Sequence, residues 1–298
     1  MTDRLTILDG GMGQELVARG QRPASPLWSA QFLIDRPDLV AEAHADYIAA
    51  GAEVITLNSY SATRRRLARE GSEDRFEALQ DAAIDAALRA RDGAGRAVRI
   101  AGCLPPLVAS YRPETMPAED EAVQEYREIA ERQLSHVDLF LCETMASVAE
   151  ARAATAAAAS VDKPVWCALT VDDEDGARLR SGEPVGDGVR AAREAGAEAV
   201  LVNCSTPEAV TVALPLVAAA AEGLPVGAYA NAFVTIAPLA PGKTVDVLET
   251  RRDLDPATYA EFAAGWRETG AAILGGCCGV GPGHIAELAR RLGRAVAG

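Results

Sequence analysis

The chain has 298 residues, of which 49% are hydrophobic and 24% are charged. These values indicate a globular protein whose core is formed by two small domains or by one large barrel. The formal net charge of −14 argues against nucleic acid as a partner, because nucleic-acid-binding proteins present lysine and arginine to the phosphates.

The N-terminus and the cysteine content predict a cytoplasmic protein. The polar segment Asp9-Gly10-Gly11 comes too soon after the start for a signal peptide. No apolar run reaches the ~18 residues that suggest a membrane span. Six cysteines in a chain of this length do not resemble a disulfide scaffold, and a reducing cytosol would leave them free to bind metal.

Strand-like and helix-like patterns alternate eight times along the chain. Strands are predicted at residues 5–9, 54–58, 98–104, 138–143, 164–170, 199–204, 225–230 and 271–276. Helices are predicted at residues 38–50, 74–91, 119–136, 147–158, 188–195, 207–221, 256–269 and 282–292. Among the start and stop signals are the N-cap residues Ser147 and Thr206 and the glycines Gly51, Gly196 and Gly270 at helix ends.

Eight such units predict an α/β fold, a (β/α)8 TIM barrel that forms a single domain over residues 1–298, since ~250 residues is typical of this fold. A doubly wound sheet is the alternative. It would usually show an early G-x-G-x-x-G turn, and residues 9–14 lack that spacing.

The extra length lies after the predicted strands, at residues 10–26, 105–117, 172–187 and 231–255. Loops of this length are usually functional lids or disordered. In a barrel they all lie at the C-terminal face of the strands, where barrel enzymes have their active sites.

Polar or thiol side chains end most of the predicted strands. They are Asp9, Asn58, Glu143, Cys204, Asn231 and the pair Cys277–Cys278. The two-residue period of a strand places Glu143 on the face of Leu141, and Cys204 on the face of Val202. Turn or capping roles are the alternative for the two carboxylates and the two asparagines.

The cysteines at strand ends predict a metal site. Three thiolates with one open position describe a catalytic zinc site, whereas a structural site closes all four positions. The adjacent Cys277 and Cys278 would point to opposite faces in a regular strand, so the chain must turn around them, and glycines on both sides permit this turn. Cys103, Cys142 and Cys167 are interpreted as small buried core residues.

Five segments in this order resemble the homocysteine S-methyltransferase family. They are Leu8-Asp9-Gly10-Gly11-Met12-Gly13, Thr56-Leu57-Asn58-Ser59-Tyr60, Leu141-Cys142-Glu143-Thr144, Val202-Asn203-Cys204 and Gly275-Gly276-Cys277-Cys278-Gly279. The family includes S-methylmethionine-dependent enzymes, betaine-homocysteine methyltransferase and the N-terminal module of cobalamin-dependent methionine synthase. Each segment is short, but the ordered set spans nearly the whole chain and is specific.

The resemblance implies a methyltransferase that converts homocysteine to methionine. It implies that Cys204, Cys277 and Cys278 hold Zn²⁺ and that Asp9 and Glu143 hold the amino-acid part of homocysteine. Asn58 and Asn231 are further candidates for substrate binding.

The chain departs from the family pattern at two places, which bear on the donor pocket and on Asn231. Tyr229-Ala230-Asn231-Ala232-Phe233 stands where the family often has Tyr-Pro-Asn-Ala-Gly, and Val280-Gly281-Pro282 stands where it often has Thr-Thr-Pro.

The sequence favours a small free methyl donor. No Asp-x-His-x-x-Gly corrinoid signature surrounds any of the three histidines, and the chain ends soon after the eighth unit. S-methylmethionine or S-adenosylmethionine is therefore expected, with betaine-like donors next. A separate corrinoid protein as partner and a homo-oligomer stay open.

Two other classes of protein compete with this interpretation. One is a barrel enzyme that uses residues 275–283 as a phosphate cradle at the start of the last helix. The other is a non-enzymatic barrel that binds zinc or thiols without turnover. Zinc content would distinguish the first, and methionine formation the second.

Overall fold

A computed structural model of the chain describes residues 5–20, 27–239, 245–294 and 296. Its centre is a ring of eight parallel strands. They are β1 (Thr6–Ile7), β2 (Val54–Thr56), β3 (Arg99–Leu104), β4 (Leu139–Met145), β5 (Val165–Leu169), β6 (Ala199–Asn203), β7 (Val226–Tyr229) and β8 (Ile273–Leu274). Each strand from β2 to β7 pairs with the strand that follows it in the chain, and β8 pairs with β1. A parallel bridge from Leu8 to Val54 closes the ring between β1 and β2.

In the described part of the chain, eleven α-helices lie between or after the strands. They are α1 (Met12–Gly20), α2 (Ala30–Asp35), α3 (Pro37–Ala49), α4 (Arg64–Arg69), α5 (Phe76–Asp92), α6 (Glu119–Gln133), α7 (Val148–Ala159), α8 (Val185–Glu194), α9 (Pro207–Ala220), α10 (Pro256–Glu268) and α11 (Pro282–Arg291). Among the described residues, none of these helices has the length and hydrophobicity that crossing a bilayer requires. The predicted (β/α)8 barrel is confirmed.

Three helices, α1, α2 and α4, were not predicted, and seven of the eight strands are shorter than predicted, most of all β1 and β8. Helix α1 lies within the segment 10–26 that was expected to be a loop, and α4 has only six residues, too few to show a helical repeat. Strands β1 and β8 have two residues each because the chain turns toward the site directly after them. Residues 21–26 and 240–244, which belong to two of the predicted loops, lie outside the described residues.

The hydrophobic core has two layers. The inner layer fills the barrel and includes Leu8, Leu141, Leu201 and Tyr229. The outer layer packs the other faces of the strands against the helices and includes Val200, Val202 and most of the alanines of α7. This arrangement leaves the interior full, so the open space of the barrel lies at the C-terminal ends of the strands.

Tyr259 of α10 connects two of these strand ends. Its side chain is fully buried, and its hydroxyl lies 2.7 Å from the carbonyl oxygen of Gly275 and 3.3 Å from that of Ala230. The hydroxyl donates to this pair of carbonyls and so holds the residues that follow β7 beside those that follow β8, directly before the cysteine pair.

Replacing Tyr259 with Phe should lower the free energy of unfolding by about 1–3 kcal/mol, because buried carbonyls lose their donor. Tyr126→Phe is the matched control. Tyr126 is equally buried, but the only partner of its hydroxyl among the described residues is the Met145 sulfur at 4.0 Å. This substitution should therefore lower the free energy of unfolding by less. Urea unfolding of both variants tests this. Equal losses would mean that the Tyr259 hydroxyl has no special role.

Candidate active site and metal centre

The structure brings together the three cysteines that the sequence predicted to share a site. The sulfur atoms of Cys204, Cys277 and Cys278 all lie within 4.8 Å of one another. Cys204 follows β6, and the other two follow β8. All three line a pocket at the C-terminal face of the barrel.

Two of these cysteines are joined to each other. Cys204 and Cys277 form a disulfide with Cα atoms 5.7 Å apart, while Cys278 is a free thiol. The expectation that all six cysteines are free is therefore wrong for this pair. The physical reason is that ligands of one metal ion must lie close together, and this closeness also brings their sulfurs within bonding distance. Thiolates are the metal-binding form of cysteine, so this pair could serve as metal ligands only in the reduced form.

The backbone of Cys204 has a φ of +47°, in the left-handed region that residues other than glycine rarely adopt. This turn reverses the direction of the side chain. Val200 and Val202 face the helices, whereas Cys204 packs with Phe233 and the cysteine pair at the mouth of the barrel. The prediction that Cys204 shares the face of Val202 is therefore wrong.

A polar network holds the carbonyl group of Cys204 in this conformation. The hydroxyl of Thr170 donates to the Cys204 oxygen at 3.2 Å, and Nη2 of Arg180 donates to the same oxygen at 3.3 Å. Arg180 forms an ion pair with Asp173 at 3.1 Å, with side chains only 7% and 16% exposed. The guanidinium also lies 4.9 Å from the ring centre of Tyr111. The predicted loop 172–187 contains Arg180 and Asp173, but no sequence signal marked them.

The cysteine pair packs tightly on the Asp9-Gly10-Gly11 segment. A Cβ atom at Gly11 would lie 2.5 Å from the carbonyl oxygen of Cys277, closer than real contacts allow. The amide of Gly276 donates to the carbonyl oxygen of Asp9 at 2.9 Å. These contacts place the end of β1 directly beside the cysteines, which explains the glycines at both sites.

Two carboxyl groups face the same pocket. Asp9 accepts hydrogen bonds from the amide of Thr56 at 2.7 Å and from its hydroxyl at 3.4 Å. Glu143 accepts from the hydroxyl of Tyr229 and from the thiol of Cys103, both at 3.3 Å. Cys103 was interpreted as a core residue, and the structure adds this contact with the site. Its role could not be read from the sequence, because it depends on the pairing of β3 with β4.

Burial controls the protonation of both carboxyl groups. It raises the pKa of Asp9 to about 8, and the negative charge of Glu143 adds to this shift. Burial also raises the pKa of Glu143 to about 7. Burial and mutual repulsion therefore disfavour two negative charges here, and a positively charged ligand such as an ammonium group would favour ionisation of both.

The two asparagines occupy different surroundings. Asn58 lies in the pocket wall, where its amide nitrogen donates to the carbonyl oxygen of Ser29 at 3.2 Å. Asn231 is fully buried outside the set of pocket-lining residues, and its Oδ1 accepts from the amide of Phe233 at 3.1 Å. Its Nδ2 has no partner among the described residues. Substrate contact by either asparagine stays a prediction.

Comparison with known proteins agrees with this geometry. Residues 6–292 match the family model described as homocysteine S-methyltransferase. A homocysteine S-methyltransferase of Escherichia coli K12 is 30% identical, with 96% of this chain and 95% of that protein aligned. Homocysteine S-methyltransferase YbgG of Bacillus subtilis is 29% identical over 96% and 93% of the two chains.

A solved structure has the same fold. The homocysteine methyltransferase MmuM of E. coli, in its metallated form, superposes with a TM-score of 0.80, with 28% identity and 97% of each chain covered. The same protein was also solved in an oxidized form. The site and the fold thus define a barrel methyltransferase, and the chain belongs to the homocysteine S-methyltransferase family.

We predict that Arg180→Met lowers the metal affinity of the reduced protein about 10- to 100-fold, the usual effect of removing a group that orients a ligand. Without Arg180 the carbonyl of Cys204 loses a donor and Asp173 loses its ion pair. Competition with a chromophoric chelator, using Zn²⁺ as the probe, measures the affinity.

Arg178→Met is the matched control for this experiment, because Arg178 lies in the same loop but is exposed and pairs with Asp175. It should bind metal as the wild type does. Equal affinity in the Arg180 and Arg178 variants would show that the network does not position Cys204.

The raised pKa of Glu143 gives a second prediction. The pKa of Glu143 rises from its ordinary value of 4.5 to about 7 in the folded protein. Between pH 4.5 and pH 7 the folded state therefore keeps a proton that the unfolded state has lost. As a result, the free energy of unfolding falls as the pH rises through this range. Glu143→Gln removes this decline. The variant should gain about 2 kcal/mol over the wild type between pH 5 and pH 8.5.

Unfolding by urea at both pH values measures this difference. Glu119→Gln is the control of opposite sign, since Arg152 lowers the pKa of Glu119 and its replacement should bring no gain at pH 8.5. A Glu143→Gln variant that gains nothing over the wild type would show that this carboxyl group ionises freely in the folded protein.

Proposed function

We propose that this protein is a zinc-dependent homocysteine S-methyltransferase that uses a small sulfonium donor. The favoured donors are S-methylmethionine and S-adenosylmethionine, and the product is methionine. The observation that carries the proposal is the set of three sulfur atoms within 4.8 Å, in a pocket that also contains Asp9 and Glu143.

The three cysteines fit a zinc ion in number, chemistry and spacing. Tetrahedral coordination with a Zn–S distance of about 2.3 Å separates neighbouring sulfurs by about 3.8 Å. The three sulfurs lie within 4.8 Å of one another, and reduction of the Cys204–Cys277 disulfide would let that pair separate to this spacing. Three protein ligands leave one position for the substrate thiol, as in catalytic sites. When bound, zinc would keep a coordinated thiol deprotonated and nucleophilic at neutral pH.

The side chains of this protein would bind and orient the acceptor. Asp9 and Glu143 would bind the ammonium group of homocysteine, and that positive charge would keep both carboxyl groups ionised. Thr56 fixes the orientation of Asp9, while Cys103 and Tyr229 fix that of Glu143. The substrate sulfur is then held in place for an in-line attack on the methyl group of the donor.

The proposal requires Cys204 and Cys277 in the reduced form. A reducing compartment supplies this condition, which supports the expected cytoplasmic location. No histidine lines the pocket among the described residues, and methyl transfer to a thiolate needs no general base.

The decisive assay uses protein purified under reducing conditions. Zinc is measured by elemental analysis, and methionine formation from homocysteine is measured with S-methylmethionine, S-adenosylmethionine, betaine or methylcobalamin supplied separately. We expect one zinc per chain and methionine from a sulfonium donor. Methionine formed only from betaine or methylcobalamin would overturn the choice of donor, and methionine from none of the four would overturn the reaction.

Cysteine variants test the metal site independently of turnover. Cys204→Ser should lose most of the zinc while the barrel stays folded, because the metal is not the core of the domain. Cys167→Ala is the control, since Cys167 is buried in the outer core layer, away from the site, and should keep its zinc. Full zinc retention in Ser variants of Cys204, Cys277 and Cys278 alike would contradict the site.

A further inference from the structure

Three consecutive arginines at the start of α4 have different surroundings. Arg64 forms an ion pair with Glu128 of α6 at 2.5 Å, and Arg65 pairs with Glu125 and Glu121 of the same helix at 2.6 and 2.9 Å. Arg66 points the other way, into the wall of the active-site pocket. It has no ion pair with any carboxylate in the described part of the chain.

The guanidinium of Arg66 is held by hydrogen bonds, but only some of its N–H groups have an acceptor among the described residues. Its Nε and Nη2 donate to the carbonyl oxygen of Pro106 at 3.1 and 2.8 Å, and Nη2 also donates to the hydroxyl of Ser110 at 3.3 Å. The group lies 5.2 Å from the ring centre of Tyr60. A guanidinium has five N–H groups, and the two on Nη1 have no acceptor within residues 5–20, 27–239 and 245–294.

A cation in this position favours an anionic ligand. Burial removes this guanidinium from water, which destabilises its charged form and lowers the pKa of Arg66. The carboxyl group of Glu150 acts on it electrostatically but forms no ion pair with it among the described residues. Arg69, one turn further along α4, lines the same pocket and adds a second positive charge. Carboxylates match the planar fork of a guanidinium and form strong, charge-assisted hydrogen bonds with it.

We propose that Arg66 binds the carboxylate of the methyl donor, so that the enzyme selects small onium compounds that carry a carboxylate group. This inference rests on the proposed function and deepens it. The acidic groups Asp9 and Glu143 line the same pocket as the cysteines, beside which the acceptor thiol belongs. In-line transfer requires the donor on the opposite side of the methyl group from that thiol, and Arg66 lines the pocket from α4.

The test compares two donors that differ only in the carboxylate. S-methylmethionine carries it, and the carboxamide of S-methylmethionine does not. Arg66→Met should raise KM for S-methylmethionine about 10- to 100-fold, the range for loss of a hydrogen-bonded charge. The kcat and the KM for homocysteine should stay near wild-type values. With the carboxamide donor, wild type and variant should have equal kcat/KM.

Two further variants separate binding from folding. Arg66→Lys keeps the charge but loses the fork, so its KM for S-methylmethionine should lie between those of the wild type and Arg66→Met. Arg65→Met is the matched control, since Arg65 lies on the same helix and faces the solvent side; it should behave as the wild type. If Arg66→Met lowers kcat/KM equally with both donors, Arg66 has only a structural role. If it raises KM for homocysteine alone, the carboxylate that Arg66 binds belongs to the acceptor. Either result overturns the proposal.

Equilibrium binding keeps the inference separate from the reaction. Isothermal titration of S-methylmethionine into the reduced, zinc-loaded protein, without homocysteine, should give a dissociation constant about 10- to 100-fold weaker for Arg66→Met than for the wild type. If this difference appears while no methionine forms, the carboxylate subsite stands and the proposed reaction fails. Equal dissociation constants, or no binding to either protein, would overturn the subsite.

Discussion

The left-handed turn at Cys204 is the constraint on which the site depends. Strands β6 and β8 are not neighbours in the barrel, since β7 lies between them, so a cysteine after β6 reaches the pair after β8 only if its side chain turns toward the barrel mouth. A φ of +47° achieves this. Such a conformation costs of order 1–3 kcal/mol for a residue other than glycine and persists only when its surroundings hold it. Thr170 and Arg180 supply that support through the Cys204 carbonyl.

The rest of the barrel fixes the second half of the site. Close packing of Gly11 on Cys277 and the hydrogen bonds of Tyr259 to the ends of β7 and β8 hold the cysteine pair against the start of the chain. Two strands of only two residues suffice at this seam because side chains and turns add to their pairing. The ligands thus lie on a rigid base, whereas the pocket above them is formed by connections between strands and helices.

Charge is divided within this pocket. The pocket contains the buried carboxyl groups of Asp9 and Glu143, and burial raises the pKa of both, which disfavours two negative charges side by side. Its wall also holds Arg66, which has no ion pair with a carboxylate among the described residues. Substrates that carry both an ammonium and a carboxylate group complement such an arrangement, because each buried charge then gains a partner.

The sequence determined the eight βα units, the position of the site at the strand ends and the three cysteines that meet there, because hydrophobic periodicity and glycine turns are local properties. Period-two alternation was right for Glu143, which follows Leu139 and Leu141 on the inner face of β4, since the left-handed turn of that strand comes one residue later, at Thr144. It failed for Cys204, whose backbone reverses. Only the tertiary structure decided the disulfide, the contact of Cys103 with Glu143 and the different surroundings of Arg65 and Arg66. Each of these depends on which distant segment packs beside the residue, and no local pattern encodes that.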